Sequence, residues 1–482
     1  MKMIIGGKHV DARDKKTQDV INPANMQVID TVPAATEEDV LEAIAIAQKG
    51  KVIWKNTPLY ERVRIMMKFV ELLEQNHDKL LNIMIDETGK TAKSCGPELE
   101  LTIACVRGFC EKAKTYATEV APLDLQPRCE GDILMTVREP IGVVAAIVPF
   151  NYPAELYMQK AAPALVTGNA VICKPSSDTP LCNIYLTKLL HEAGVPGEVV
   201  QVVTGSGAKV GSWLSQSKDV DVISLTGSTE VGVQTALNGA KNLSHVYLEL
   251  GGNCPMLVFD DADLDKAVAE ALFGRLLGNA GQACCAPKRY IVQNGVKEEF
   301  TKKLVKALSE SKVGDPHDPE SACGPLVSER AAKTVEEQIQ LTIKQGAKCI
   351  HGGKRFNTTF IEPTVLVDVK PGMDVAGPME IFGPVFPIIG FDTIDQAIKI
   401  ANDIPYGLSS GVMTRSMSTA YKVSKAMESG TCVVNGSGFY RTAYQAFGDI
   451  KMTGIGREGV GFTLDEYTQI KTIVLKKLGD MK

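Results

Sequence analysis

From Ile141 onward the chain alternates short apolar runs with helical stretches, and this rhythm restricts the possible folds more than any other feature. GVVAAIVP and NAVICKP end on proline, each followed by a helical stretch, while VVQVVTG and VDVISLTG are β-branched and close on glycine. A strand that is apolar throughout must be covered on both faces, which is the condition of a parallel sheet flanked by helices. The second half repeats the style with RYIVQ, a helical pattern through KEEFTKKLVKALSES, and then SSGVMTR and TCVVNG. Two α/β domains are the expectation, and 482 residues hold two or three domains of ~100–200 residues each.

Ahead of this region stand two helical patterns, TEEDVLEAIAIAQKGKVIWKN and a longer one through ERVRIMMKFVELLEQNHDKLLNIMIDETGK. Between Val120 and Pro140 the pattern changes to short alternating runs such as GDILMTVREP, which read as an extended arm or hairpin. The final FTLDEYTQIKTIVLKK ends in an alternating strand able to pair with that arm, within or between subunits. No low-complexity segment or solenoid repeat interrupts this order.

A net charge of -5, with Lys and Arg scattered among acids, leaves no basic face for nucleic acid. No apolar run reaches the ~18–20 residues of a membrane helix, and MKMIIGGKHVDARD turns polar too soon for a signal peptide. Twelve cysteines without a CxxC pair, Cys105 and Cys110 isolated among them, give no metal pattern and suit reduced packing residues of a cytoplasmic protein.

Three polar residues stand out from their surroundings. Glu249 lies among apolar residues in VYLELGGNCPMLVF, where one strand ends, turns through Gly251 and Gly252, and gives way to another. It is either a general base, its pKa raised by burial, or a paired structural acid. Thirty-five residues on, GNAGQACCAPKR places Cys284 after the turn residue Gly281 among small side chains. A cysteine is ordinarily a packing residue. The adjacent Cys285, the glycine-rich approach and the isolated Glu249 favour a covalent nucleophile, since a thiolate attacks a carbonyl and can later leave. In IVPFNYP, Asn151 is either a cap before a helix or an amide donor aimed at a developing oxyanion.

PFNYP, KPSSDTP, LTGSTEVG, LELGGN, GQACC, EIFGP and GIGRE occur in this order over more than three hundred residues. In that combination the chain resembles the aldehyde dehydrogenase superfamily from near its start to its end. The resemblance implies an α/β fold of two Rossmann-like parallel-sheet domains and a β-arm for oligomerisation. Residues 1–118 and 141–249 would bind the cofactor and 250–448 form the catalytic domain. Residues 119–140 and 449–482 would be the arm and tail of a homodimer or homotetramer. Cys284 becomes the nucleophile, Glu249 the base that activates the deacylating water, and Asn151 with the Cys284 backbone N–H the oxyanion hole. The implied order is thiohemiacetal, hydride transfer to nicotinamide, thioester and hydrolysis, with Cys285 a neighbour that is not required.

On the cofactor side, Lys174 matches the family lysine that bonds the adenosine ribose. Gly227, Ser228 and Gly232 match the turn and helix start at the pyrophosphate, where a helix N-terminus suits an anion. Glu380 matches the acid that holds the nicotinamide ribose, with Phe382 beside it and Phe150 in the same cofactor site. TGSGAKVG lacks GxGxxG spacing and reads as a loop and helix start. Ser177 stands where NAD-selective relatives often carry Glu; without that charge a 2′-phosphate is not repelled, so the cofactor is NADP or NAD, with NADP accepted. The interval from Glu249 to Cys284 is one residue longer than is common in the family, an excess expected to be absorbed in the helix around Phe273–Leu277.

The substrate implied is a small hydroxy- or anionic aldehyde. Succinate-semialdehyde dehydrogenases, the alternative, hold the substrate carboxylate with two arginines where this chain has Gln159 and Gly278. Arg441 in VVNGSGFYRTAYQAFGDIKMTGIGREG, with REPIGVVAAIVPFNYP, resembles the lactaldehyde and non-phosphorylating glyceraldehyde-3-phosphate branch. Arg441 and Gln159 are therefore the substrate-binding candidates, Arg441 for a phosphate, sulfonate or hydroxyl, against its reading as a surface arginine. Arg107 is a second candidate. The loop departs from the common family pattern at Ala446 (usually Pro) and Asp449 (usually Gly). A catalytically silent structural or binding protein on this scaffold would have lost the nucleophile, the base or the donor, and all three are present. A coenzyme A-acylating enzyme normally lacks the deacylating acid. A thiol hydrolase needs a histidine, and none of the six lies near Cys284 in sequence.

Overall fold

The computed structural model describes residues 1–116 and 119–477; the junction expected at 118 and the tail end 478–482 lie outside the described residues. The apolar runs after Ile141 form the centre of an eight-stranded sheet. Its spatial order is Lys8–Val10, Met3–Ile5, Val200–Val202, Ala170–Lys174, Val143–Ile147, Val222–Thr226, His245–Glu249 and Gly454–Ile455. The five central strands are parallel. In chain order they lie third, second, first, fourth, fifth, the doubly wound arrangement that opens a ligand crevice beyond the carboxyl ends of its strands. Successive side chains of Val143–Ile147 enter different cores: Val144 and Ala146 join one face, Val143, Ala145 and Ile147 the other. That explains why the run is apolar at every position.

The second sheet runs Lys348–His351, Thr364–Val369, Val385–Phe391, Arg289–Gln293, Pro255–Val258, Ser409–Met413 and Thr431–Val434. Only its first pair is antiparallel. The chain crosses between sheets from Glu249 to Pro255, leaving the carboxyl end of one strand for the amino end of the next. The segments carrying Cys284, Glu380 and Leu408 likewise lead into the amino ends of second-sheet strands. The carboxyl edge of one sheet thus faces the amino edge of the other.

The helix Glu37–Lys55 starts at a capping box between Thr36 and Asp39. The long pattern after it is two helices rather than one, Leu59–Gln75 and His77–Thr88. At Asn76 the side-chain amide donates to the Leu72 carbonyl at 2.8 Å and Oδ1 accepts from the Tyr185 hydroxyl at 2.6 Å. Side-chain bonding there competes with helix continuation. The arm strands Glu119–Pro122 and Ile133–Pro140 are antiparallel, and Thr468–Leu475 pairs with Ile133–Pro140 along its whole length within the chain. Phe273–Leu277 is a π-helical turn, which takes more residues per turn than an α-helix and stands where the extra residue before Cys284 was expected. Among the described residues no helix is long and apolar enough to cross a membrane.

Candidate active site

Cys284 follows a turn that only glycine makes easily: Gly281 has φ 76°, and a Cβ there would lie 2.2 Å from the Gly383 carbonyl oxygen. The cysteine is half-buried beside a small cluster of Cys254, Ala283, Cys285, Leu408 and Phe447. Its hydrogen bond with Cys285 and burial push the thiol up, while Lys288 and Arg441 pull it down. Lys288, absent from the sequence reading, donates from Nζ to the carbonyl oxygens of Ala283 at 2.7 Å and Cys284 at 2.6 Å. The same ammonium lies 3.0 Å from Glu380 Oε1.

Asn151 reaches the same turn from the opposite edge, its Nδ2 donating to the Gln282 carbonyl at 3.0 Å. Nδ2 carries two hydrogens, so a second remains for a substrate oxygen. The Asn151 carbonyl accepts from Lys90 Nζ at 3.2 Å and Asn279 Nδ2 at 3.0 Å. Lys90 is buried and paired with Glu98, which accepts the backbone N–H groups of Ala154 and Glu155 at the start of helix Pro153–Thr167. Asn151 is therefore held from behind by a pair more than fifty residues away in sequence.

Glu249 is 6% exposed, and its Oε2 has no hydrogen-bond partner among the described residues. Burial, then the charge of Glu458, push its carboxyl well above the usual range, against Arg441 and Lys160. Its room depends on Gly448 (φ 104°), where a Cβ would stand 2.1 Å from Glu249 Oε1. The next residue, Asp449, takes φ 65°, a left-handed conformation that Asp tolerates better than most residues.

Beside Glu249 lies a buried charge cluster. Glu458, of the GIGRE motif, pairs with Lys160 at 2.7 Å and Arg441 at 2.8 Å. Lys160 also donates to Thr226 Oγ1 at 2.6 Å. Arg441 lies 3.4 Å from Glu155 and its guanidinium 3.9 Å from the Phe447 ring centroid. Burial opposes ionisation of Glu458, but Lys160 and Arg441 hold it below the usual range; burial raises Glu155. Arg441 is thus only 11% exposed at its side chain and doubly paired, not a free surface arginine. Gln159 Nε2 donates to Glu155 Oε1 and to Cys105 Sγ, each at 3.1 Å, leaving its Oε1 without a partner among the described residues. The available signal for Glu155 and Lys160 was a pair of charges in the otherwise apolar helix AELYMQKAAPAL. Arg107 is exposed and paired with Glu74. Arg275 is buried and, among the described residues, bonds only the carbonyls of Val385, Gly281 and Ile381. At Gly278 a Cβ would lie 2.7 Å from the Phe439 ring, which occupies the space a larger side chain would need.

Of the remaining expected residues, Lys174, Ser177, Gly227 and Ser228 lie at or just after the carboxyl ends of first-sheet strands, and Glu380 and Phe382 stand on the facing edge of the second sheet. Lys174 is buried with no ion-pair partner among the described residues, and burial lowers its pKa to about 8. The TGSGAKVG loop folds over it: a Cβ on Gly207, which opens helix Gly207–Gln216, would be 3.6 Å from Lys174 Nζ. Ser177 Oγ donates to the Gly205 carbonyl at 3.0 Å. Gly227 N–H donates to the Glu249 carbonyl at 3.0 Å, and Ser228 caps helix Thr229–Ala240. Gly232 faces Leu250, 2.4 Å from a hypothetical Cβ, so it serves helix–strand packing rather than the crevice. Gly251 leaves room for Glu380, whose Oε2 would be 2.6 Å from a Cβ there. Phe150 and Phe382 meet edge to face at 6.0 Å. A buried unpaired ammonium, a helix N-terminus and an acid on the facing edge fit a phosphate-bearing dinucleotide.

Residues 9–473 match the sequence profile of the aldehyde dehydrogenase family. The chain belongs to the aldehyde dehydrogenase family. It is accordingly an oxidoreductase that acts on aldehydes. Among aldehyde dehydrogenases, it is 37% identical to the succinate-semialdehyde dehydrogenase [NADP(+)] of Escherichia coli, over 97% of this chain and 96% of that one. The 3-sulfolactaldehyde dehydrogenase of Priestia aryabhattai is 36% identical over 95% and 94% of the two chains. A crystal structure of an NADP-dependent Escherichia coli enzyme superposes with a TM-score of 0.95 at 36% identity, covering 98% of both chains.

Proposed function

We propose that this aldehyde dehydrogenase oxidises a small hydroxy- or anionic aldehyde, of the lactaldehyde or glyceraldehyde-3-phosphate kind, to its carboxylate with NADP or NAD. What carries the reading is that Asn151 Nδ2 bonds the turn that presents Cys284, at 3.0 Å from the Gln282 carbonyl, and that the buried Glu249 lies close enough to Cys284 for their charges to interact, with Lys174, Ser177 and Glu380 available to a dinucleotide. Cys284 Sγ, its proton released to solvent, attacks the aldehyde carbon. The charge formed on oxygen is met by Asn151 Nδ2 and the Cys284 backbone N–H. A nicotinamide held beside Glu380 and Phe382 would supply the two-electron acceptor, and loss of hydride from the former aldehyde carbon would leave the acyl group on Cys284 as a thioester. Glu249 then takes a proton from the water that attacks this thioester, and the carboxylate product departs from the regenerated thiolate. Because the Glu249 carboxyl sits well above the usual range, it is protonated and idle at mildly acidic pH, and deacylation gains as pH rises. Serine at 177 adds no charge against a 2′-phosphate, and Lys174 offers it an unpaired cation, which favours acceptance of NADP.

Arg441, Glu155 and Gln159 make the neighbourhood of the aldehyde polar, and the 3-sulfolactaldehyde-oxidising relative accords with a hydroxylated, anionic substrate. Succinate semialdehyde is the second reading, favoured by the Escherichia coli relative. Against it, the two positions at which a pair of arginines would hold the substrate carboxylate carry the uncharged Gln159 and Gly278. The apolar side chains of Val120, Ile133, Ile470 and Val474 are exposed along the arm sheet, which supports burial against a second copy in a homodimer or homotetramer. The test is kcat/KM for lactaldehyde, glyceraldehyde 3-phosphate, succinate semialdehyde and propanal, in wild type and Arg441→Ala. A charge-assisted hydrogen bond is worth ~1.5–3 kcal/mol, so Arg441→Ala should cost roughly ten- to a hundredfold more on the polar substrate than on propanal, whose own loss reports the pull of Arg441 on Cys284 and Glu249. Succinate semialdehyde as the best of the panel, or an equal loss on propanal, overturns the substrate reading.

A further inference from the structure

Lys288 is 1% exposed, although its ammonium is the kind of group that ordinarily seeks water. Its partners among the described residues are the carbonyl oxygens of Ala283 and Cys284, a longer contact of 3.5 Å to the Ala286 carbonyl, and the carboxylate of Glu380. The Ala283 carbonyl and the Cys284 N–H are two ends of one planar, conjugated peptide unit. A cation 2.7 Å from the carbonyl oxygen draws electron density toward that end and makes the N–H at the other end a stronger donor. That N–H is the backbone half of the oxyanion hole. The bond to the Cys284 carbonyl clamps the peptide on the other side of the nucleophile as well. Across the crevice the same ammonium holds Glu380 Oε1, which has no hydrogen-bond partner of its own among the described residues, and the Phe382 ring centroid lies 5.7 Å away.

We propose that Lys288 is a positioning residue for acylation: it orients and polarises the peptide that donates to the oxyanion, and ties that peptide to the acid on the nicotinamide side. The proposal rests on Cys284 being the nucleophile and on Glu380 facing the cofactor. The charge of Lys288 also acts on the thiol, pulling Cys284 down against burial. Other groups bearing on that thiol are Cys285, Cys254, Tyr152, Glu249 and Arg441, none of which the test alters.

Removing an oxyanion donor outright costs roughly 10²–10³ in rate, so weakening one through Lys288→Met should slow the burst of reduced cofactor by about ten- to a hundredfold. The dissociation constant for cofactor, read by fluorescence, should rise several-fold as Glu380 loses its partner. In the cofactor-free protein, alkylation of Cys284 by iodoacetamide, followed by peptide mass spectrometry, should shift its pH midpoint upward. Lys288→Arg, which keeps the charge, should recover part of the burst rate and of the midpoint. Lys288→Gln keeps a donor without the charge; it gives the answer should the methionine variant not fold, and should show the same slow burst and raised midpoint. A burst within twofold of wild type, or an unmoved midpoint, in a folded neutral variant overturns the proposal. Cys284→Ala separates the two levels of the argument. If it still gives a burst, the nucleophile reading fails and the Lys288 inference falls with it. If it is silent while Lys288→Met bursts normally, only the Lys288 inference fails.

Discussion

Gly448→Ala should disable the base while sparing the nucleophile. The new methyl carbon would stand 2.1 Å from Glu249 Oε1 and 2.6 Å from both Cδ and Oε2. Non-bonded heavy atoms settle near 3.5–4.0 Å, so the carboxylate must withdraw by roughly 1 Å or more. A displacement of that size costs on the order of 10²-fold in the step that depends on it, about 2.7 kcal/mol in barrier. The left-handed φ of 104° adds strain of ~1–2 kcal/mol for alanine, which appears in thermal unfolding and not in the chemistry. Stopped-flow mixing of enzyme, cofactor and aldehyde reads the two half-reactions apart. The burst of reduced cofactor should keep an amplitude near one per active site, and the steady state after it should fall about a hundredfold. Glu249→Gln should give the same burst-then-slow trace, and the double variant should be no slower than either single one. A steady-state rate within threefold of wild type would falsify the assignment of Glu249 as the deacylating base. Loss of the burst itself would mean that Gly448 shapes the nucleophile's surroundings instead.

Cys284→Ala should abolish dehydrogenase turnover with cofactor binding intact, whereas Cys285→Ala should keep most activity; substantial turnover by Cys284→Ala removes it as nucleophile. Ser177→Glu should weaken NADP far more than NAD, since like charges about 4 Å apart repel by roughly 4 kcal/mol at an effective dielectric near 20, before screening; equal losses would place Ser177 away from the adenosine ribose. Lys174 titrates near 8 because burial disfavours its charge, and a bound 2′-phosphate would favour that charge. NADP binding should therefore draw protons from the buffer and weaken as pH rises above about 8, by up to about tenfold per pH unit until the bound-state pKa is passed, with a smaller effect on NAD. Calorimetry in two buffers of different ionisation heat checks this, and the absence of proton uptake near pH 8.5 would separate Lys174 from the phosphate.

Much of this architecture could be read along the chain because it depends on neighbours in sequence. The runs GVVAAIVP, NAVICKP and VDVISLTG are apolar at every position since both faces of a parallel strand are covered. Their carboxyl ends accordingly carried Asn151, Lys174 and Gly227 to the crevice. The surplus residue before Cys284 was countable, and the π-turn at Phe273–Leu277 lies where it was expected. The break at Asn76 was not legible, because it depends on a hydroxyl that Tyr185 brings from another helix. Nor was the electrostatic surrounding of the site. Lys160 meets Glu458 across 298 positions, and Lys288 meets Glu380 only where the two sheet edges face each other. Periodicity reports which face of an element is apolar, but a buried charge is admissible only when a particular partner arrives from elsewhere. Sequence alone therefore determined the strands and singled out the three residues proposed to react. Docking of the two sheets decided which cations and acids stand beside them, because only that docking sets the distances at which charges act.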